Sequence, residues 1–331
     1  MKRFARISGT GSYVPEKVLT NDDLSRMLGE DINEFVSGVI GIRERRICAA
    51  DESTADLAVS AARHALEAAA LRPEELDLII LATDTPEYIS PATSSIVQSR
   101  LGAINAATFD LNCACAGFVT ALDTATKFII ADERYQRVLV IGAYAMSKYL
   151  NWSDKKTCTL FADGAGAVVL QVSHESPGFL ASELAADGRY YAHMGIYAGG
   201  AKHPLNQAHH TAREQVLEFV QKIPAGFNLE RWPAMIHSVL ERSRLTLDEV
   251  SLFFFTQLNL STIRTVMETL DQPMNKAHTI MDKWGYTGSA CIPMALDDAV
   301  RQGRLRPGDV IVLCGSGGGV AMGCLAFRWT K

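Results

Sequence analysis

Short apolar runs alternate along the chain with stretches in which apolar residues recur every three or four positions. Residues 76–82, 138–141, 165–170, 252–255 and 310–313 are apolar almost throughout, the pattern of strands covered on both faces. Residues 54–70, 117–132 and 212–222 follow helical spacing instead and lie between or beside those runs. The alternation predicts an α/β protein whose sheets are sandwiched by helices. A last strand is expected over 324–329, after a glycine-rich turn. No low-complexity segment or flexible linker interrupts the pattern.

The pattern also repeats. Ala62 to Asp77 lies over Ile236 to Ser251 without a gap, at a shift of 236 − 62 = 174 residues. Both copies read as helix, acidic turn and strand. The same shift carries Ala121-Leu122 onto Ala295-Leu296, and a shift of 309 − 137 = 172 carries residues 137–142 onto 309–314. Two copies of one α/β unit are therefore expected, residues 1–175 and 176–331, joined near 171–180. A site is expected where their equivalent loops meet.

Composition narrows the class. A chain of 331 residues is long enough for two domain-sized units, and 48% hydrophobic against 21% charged residues supports a sizeable core. The formal net charge of −5 leaves no general basic surface for a nucleic-acid backbone. Neither a bilayer-spanning run of about 18–20 residues nor a secretory signal core is read from the pattern, so a cytoplasmic protein without membrane contact is expected. Seven cysteines, at 48, 113, 115, 158, 291, 314 and 324, lack both the paired spacing of a zinc site and the density of a disulfide scaffold.

One cysteine stands apart. Residues 107–122 run as a strand through small residues into a helix, with Cys115 at the turn and Ala116 and Gly117 allowing tight packing. Free N–H groups at a helix start lower the pKa of a thiol placed there, which makes Cys115 the candidate nucleophile, whereas Cys113 reads as core. Near the C-terminus, Gly315-Ser-Gly-Gly-Gly-Val-Ala-Met-Gly323 lacks the Lys-Ser/Thr of a phosphate-binding loop and is followed by a strand. It suits backbone donation to a carbonyl oxygen instead. His203, His209 and His210 lie in a polar stretch, with one of them a candidate base and no further ligands at zinc spacing.

Together, Ile7-Ser-Gly-Thr-Gly-Ser-Tyr-Val-Pro-Glu16, Gly41-Ile-Arg-Glu-Arg45, Cys115-Ala-Gly-Phe118, Phe161-Ala-Asp-Gly-Ala-Gly-Ala167 and the loop at 317–319 resemble β-ketoacyl-acyl carrier protein synthase III. The resemblance implies a thiolase-like, internally duplicated αβαβα five-layer fold and a homodimer. It also implies an acyl group loaded onto Cys115 from an acyl carrier protein or coenzyme A thioester. The N–H groups of Cys115 and Gly318 would form the oxyanion hole, and no metal or cofactor is implied beyond the phosphopantetheine-bearing substrate.

The departures are specific. Where the family has His-Gln-x-Asn, this chain has Thr256-Gln257-Leu258-Asn259, and where the family has Gly-Asn-Thr-Ser it has Gly285-Tyr286-Thr287-Gly288. The family's His and Asn stabilise the enolate formed as malonyl loses CO₂. Threonine lacks the imidazole's length and near-neutral pKa, while Tyr286 retains one O–H donor. At the carrier end, Phe35 stands at an adenine-stacking tryptophan, Val39 and Lys155 at arginines, and Ser90, beside Tyr88, at a phenylalanine that closes the partner's acyl pocket. Three readings remain open: an acyltransferase that does not decarboxylate, serving a specialised pathway; a decarboxylating synthase with different donors; and a non-catalytic subunit of a heterodimer.

Overall fold

The computed structural model describes residues 2–205, 215–224 and 226–331. Its strands are β1 (Phe4–Tyr13), β2 (Lys17–Thr20), β3 (Glu44–Ile47), β4 (Leu78–Ala82), β5 (Ala107–Leu111), β6 (Arg137–Ala145), β7 (Asp163–Ser173), β8 (Phe179–Ala186), β9 (Met194–Gly195), β10 (Glu218–Phe219), β11 (Val250–Phe255), β12 (Val310–Gly317) and β13 (Ala321–Arg328). One sheet has the order β1-β7-β6-β4-β5 and a second has β11-β12-β13-β8. In the first, β4 pairs in parallel with β5 and β6, while β7 runs antiparallel to β6 and β1. The second repeats this arrangement, with β11 parallel to β12 and β13 antiparallel to both β12 and β8.

Five layers result. Helices Thr54–Ala69 and Thr93–Leu101 cover the outer face of the first sheet, and Phe227–Ser243, with Leu260–Thr269 against it, covers the outer face of the second. Between the sheets lie Gly117–Ala131 and Cys291–Arg301, each touching both. The strands β4, β6 and β12 are buried on both faces, which is why they read as unbroken apolar runs. The fold is the thiolase-like α/β arrangement.

The duplication reaches single residues. Helix Thr54–Ala69 ends on Ala70 at φ 52° and helix Phe227–Ser243 ends on Arg244 at φ 57°, 244 − 70 = 174 residues apart. Both left-handed caps lead into a one-turn 3₁₀ helix, Pro73–Glu75 and Leu247–Glu249, closed by a glutamate that accepts the N–H of Arg72 or Thr246 at its start.

Two expectations need correction. The helix over 212–222 is absent from its described part: Glu218–Phe219 pairs as a strand with Met194–Gly195. Leu217 is buried and Phe219 stacks on Phe161, so the inward positions alternate in twos and strand pairing wins; residues 212–214 lie outside the described residues. Ala114–Ala131 is apolar and long enough to cross a membrane, contrary to the sequence reading. It is 61% buried and its helix is packed between the two sheets, the position of a core helix.

The central layer is packed at backbone distance. A Cβ on Gly142 in β6 would lie 2.3 Å from the Ser289 carbonyl oxygen. Gly142→Ala is therefore expected to lower stability by about 1–3 kcal/mol, read by urea unfolding. Gly188→Ala, where the added carbon meets open space, changes it by less than about 0.5 kcal/mol.

Candidate active site

The nucleophile turn is built from the strand end upward. Beyond β5, the Asn112 side-chain oxygen accepts the Ala114 N–H at 3.0 Å, and Ala114 takes a left-handed φ of 46°. One 3₁₀ turn, Ala114–Ala116, then delivers Cys115 to the start of helix Gly117–Ala131, whose first N–H groups have no side-chain cap. Facing it, the end of β12 presses backbone against backbone. A Cβ on Gly317 would stand 2.5 Å from the Cys115 nitrogen and 2.6 Å from the Cys113 oxygen. Only glycine admits that approach.

Thr256 follows β11. Its hydroxyl accepts the Ser316 N–H at 3.1 Å and lies 3.4 Å from the Ser316 oxygen. The side chain therefore clamps the glycine loop to β11. Ser316 is held from the other side by its hydroxyl, which donates to Asn228 Oδ1 at 2.9 Å.

Tyr286 is almost fully buried and is fixed by its backbone: its N–H donates to the Leu160 oxygen at 3.0 Å and its oxygen accepts the Ala162 N–H at 2.9 Å. The neighbouring Phe161-Ala-Asp163 segment is itself anchored, because the Asp163 carboxylate accepts the N–H groups of Cys48 at 2.7 Å and Ser147 at 2.8 Å. So held, the Tyr286 hydroxyl acts on the Cys115 thiol and favours its thiolate.

The electrostatics correct the sequence expectation for the thiol. Burial pushes Cys115 well above the usual thiol range, and the negative charge of Asp84 adds to this, while the Tyr286 hydroxyl and the thiol's own backbone N–H oppose it. Dehydration outweighs the helix start, so the resting nucleophile is a thiol. Burial also lifts Tyr286 and Tyr144 far above the tyrosine range and Cys291 to about 12, leaving all three uncharged at neutral pH.

Cys115, Thr256, Tyr286, Gly318 and Asn259 share one cavity of about 640 Å³. Phe161, Met194, Phe219 and Trp232 supply its apolar wall, and Lys156 contributes a cationic group. Asn259 doubles as the cap of helix Leu260–Thr269, its oxygen accepting the Ser261 N–H at 2.8 Å. Other expected residues stand elsewhere. Lys155 is exposed and pairs with Glu30 at 2.8 Å, so of the two neighbours it is Lys156 that lines the cavity, together with Lys222. Phe35, 61% exposed, and Val39 are outside the lining, as are Ser90 and Tyr88 on the exposed loop beyond β4. His203 does not line the cavity, and His209 and His210 lie outside the described residues. Sequence reasoning missed Asp84. Its signal was an acid just beyond the C-terminal end of a parallel strand, where α/β proteins place their sites.

A duplicated five-layer fold, with a cysteine at the start of the central helix and a glycine loop pressed against it, defines a thiolase-like acyl-transferring enzyme. The description 3-oxoacyl-[acyl-carrier-protein] synthase III matches residues 109–188, and its C-terminal part matches 240–329. A β-ketoacyl-[acyl-carrier-protein] synthase III of Caldanaerobacter subterraneus subsp. tengcongensis is 39% identical across 99% of this chain and 98% of its own. The crystal structure of 3-oxoacyl-[acyl-carrier-protein] synthase III from Aquifex aeolicus superposes with a TM-score of 0.88 at 36% identity, covering 98% of this chain and 100% of that one. The priming β-ketosynthase of the R1128 polyketide pathway superposes with a TM-score of 0.91 at 28% identity, over 100% and 97%. The chain belongs to the β-ketoacyl-acyl carrier protein synthase III family of acyltransferases.

Removing the Tyr286 hydroxyl takes away a donor that favours the thiolate, so Tyr286→Phe shifts the Cys115 pKa further up. Alkylation of Cys115 by iodoacetamide at pH 8, followed by mass spectrometry, is expected to slow on the order of tenfold, the effect of one hydrogen bond to a charged group.

Proposed function

We propose that this enzyme loads an acyl group from a carrier-protein or coenzyme A thioester onto Cys115. It then passes that group to an acceptor without decarboxylating a malonyl thioester, in a specialised biosynthetic pathway. The observation that carries the reading is the Thr256 hydroxyl, which is bound to the Ser316 backbone. A side chain spent on the loop has no proton to give a developing enolate. The Tyr286 hydroxyl acts in turn on the Cys115 thiol. By the family resemblance these are the two positions from which malonyl decarboxylation is driven.

Loading needs neither as an enolate donor. The Cys115 sulfur attacks the thioester carbonyl, the N–H groups of Cys115 and Gly318 stabilise the oxyanion, and the pantetheine thiol leaves. The acceptor, a hydroxyl, amine or carbon nucleophile, then takes the acyl group from the sulfur. Lys156 at the cavity is a suitable partner for the phosphate of a phosphopantetheine arm. The polyketide priming ketosynthase among the structural neighbours supports a role outside primary fatty-acid synthesis.

A homodimer fits the exposed apolar loop beyond β4, where Tyr88 is 59% and Ile89 81% exposed. In such a dimer the short Ser90 side chain leaves the acyl end of the partner's cavity open. Chains longer or bulkier than acetyl are then preferred, and Ser90→Phe restricts loading to short ones, as a panel of acyl-coenzyme A thioesters followed by intact mass will read. Wild-type enzyme that accepts acetyl and rejects all larger groups overturns this.

The central test follows CO₂ release from malonyl-carrier protein beside acyl-enzyme formation. Loading without appreciable release is expected, since losing one preorganised donor typically costs about 10²–10³ in rate. Cys115→Ala abolishes loading and Cys113→Ala retains it. Thr256→His/Tyr286→Asn is expected to gain release. Rapid release by the native enzyme means instead that it decarboxylates with other donors.

A further inference from the structure

Three polar side chains are linked along one wall of the cavity. The Thr256 hydroxyl accepts the Ser316 N–H at 3.1 Å, and the Ser316 hydroxyl donates to Asn228 Oδ1 at 2.9 Å. All three residues line the cavity that holds Cys115. The link runs close to the nucleophile, because Gly317 follows Ser316 directly and meets the Cys115 backbone, where an added Cβ would be 2.5 Å from the nitrogen.

The link also decides which end of the Asn228 amide is free. Ser316 occupies Oδ1, and Nδ2 has no hydrogen-bond partner among the described residues. Asn228 is the second residue of helix Phe227–Ser243, and Trp232 lies one turn further along the same face. Trp232 lines the cavity too, with its ring stacked on Phe255 and its Nε1 buried without a partner among the described residues. This wall offers donors, and the neighbouring Phe161, Met194, Phe219 and Val320 side chains supply no acceptor. A donor in apolar surroundings is costly until an acceptor reaches it, so the ligand that suits the wall brings an oxygen.

Spacing points to the oxygen. In the loading step the thioester oxygen lies at the Gly318 N–H. Ser316 is two residues earlier, about 7 Å away along an extended backbone. In a pantetheine thioester the carbonyl carbon of the first amide is five bonds from the thioester carbon, about 6 Å when the linker is extended. An arm whose thioester has reached Cys115 therefore brings its first amide to the level of the Ser316–Asn228 pair.

We propose that the Asn228 amide, held by Ser316 and through it by Thr256, donates a hydrogen bond from Nδ2 to the carbonyl oxygen of the pantetheine amide nearest the thioester. The inference rests on Cys115 being the acylated nucleophile. Thr256 then has a function of its own at a position where it cannot act as a base, because it orients the loop residue that orients Asn228. A thioester without this carbonyl leaves the Asn228 donor unpaired, and a site built to hydrogen-bond a substrate group discriminates against the analogue that lacks it.

The test uses three thioesters of hexanoic acid. The N-acetylcysteamine thioester carries the amide, the 5-mercaptopentan-2-one thioester keeps the carbonyl without the nitrogen, and the pentane-1-thiol thioester has neither. Loading of Cys115 from each is followed by rapid-quench intact mass in wild type, Asn228→Leu and Thr256→Val, with folding checked by circular dichroism and thermal melting. The rate ratio of the amide to the pentanethiol thioester is expected to fall about tenfold from wild type to Asn228→Leu, and the ratio of the ketone to the pentanethiol thioester to fall with it. Thr256→Val lowers both ratios part of the way. A folded Asn228→Leu that slows all three thioesters alike marks a merely structural residue and overturns the proposal. So does a ketone ratio that stays put, or a Thr256→Val variant with wild-type ratios. If wild type loads from none of the three, the acyl-loading reading fails, and the hydrogen bond is read instead from protection of Cys115 against iodoacetamide by S-hexyl-N-acetylcysteamine, a thioether that cannot acylate. Protection lost in Asn228→Leu upholds the role of Asn228, and protection unchanged overturns it.

Discussion

Everything at the site depends on the head-on contact of two equivalent turns at the centre of the molecule. The turn Ala114–Ala116, with Ala114 at φ 46°, and the turn Gly288–Ala290, with Gly288 at φ 47°, are 288 − 114 = 174 residues apart and pack against each other. Each begins a central helix, and each is approached by a glycine from a neighbouring strand, Gly317 against the first and Gly142 against the second. Backbone in contact with backbone leaves little room for adjustment, so the nucleophile position is set by the whole five-layer stack rather than by its own loop. The requirement for glycine at these contacts is a packing requirement first and a catalytic one second.

Equivalent turns have divergent chemistry. The counterpart of Cys115 under the 174-residue shift is Ser289, whose hydroxyl donates to the Ala143 oxygen at 3.0 Å and is thereby spent on the core. One half thus keeps a reactive group facing the cavity while the other closes the wall behind it. Tyr286, contributed by the second half, then turns its hydroxyl toward the first half's sulfur. The site belongs to neither half alone, which is the usual consequence of placing function where two repeats meet.

The fold was legible because its strands are covered on both faces. Unbroken apolar runs such as β4 and β12, and the 174-residue repeat, are direct imprints of burial on sequence. What failed was local: 212–222 has helical spacing, but strand pairing of Glu218–Phe219 and the stacking of Phe219 on Phe161 decide its described part. Cys115, the glycine loop, Thr256 and Tyr286 could be picked out because a motif surrounds each. Asp84 had only its place beyond a strand end, since its effect on Cys115 comes from the fold and Oδ1 has no partner among the described residues. The choice of Lys156 over Lys155 was equally invisible, because it rests on which side of a four-residue helix, Lys155–Cys158, faces the cavity.

The sign of the thiol's shift illustrates the same limit and explains why the site needs more than a helix start. A helix terminus contributes a fraction of a charge near the sulfur, whereas removing water from a thiolate penalises it several times more strongly. Burial is unavoidable here, since the contacts that fix Cys115 also dry it. The nucleophile can then become anionic only when its proton has somewhere nearby to go, and the imidazole that would ordinarily serve is replaced by a threonine whose oxygen is tied to the loop. The charge of Asp84 disfavours the thiolate further, so the sulfur attacks from its protonated state. The same packing that fixes the nucleophile thus makes it costly to charge.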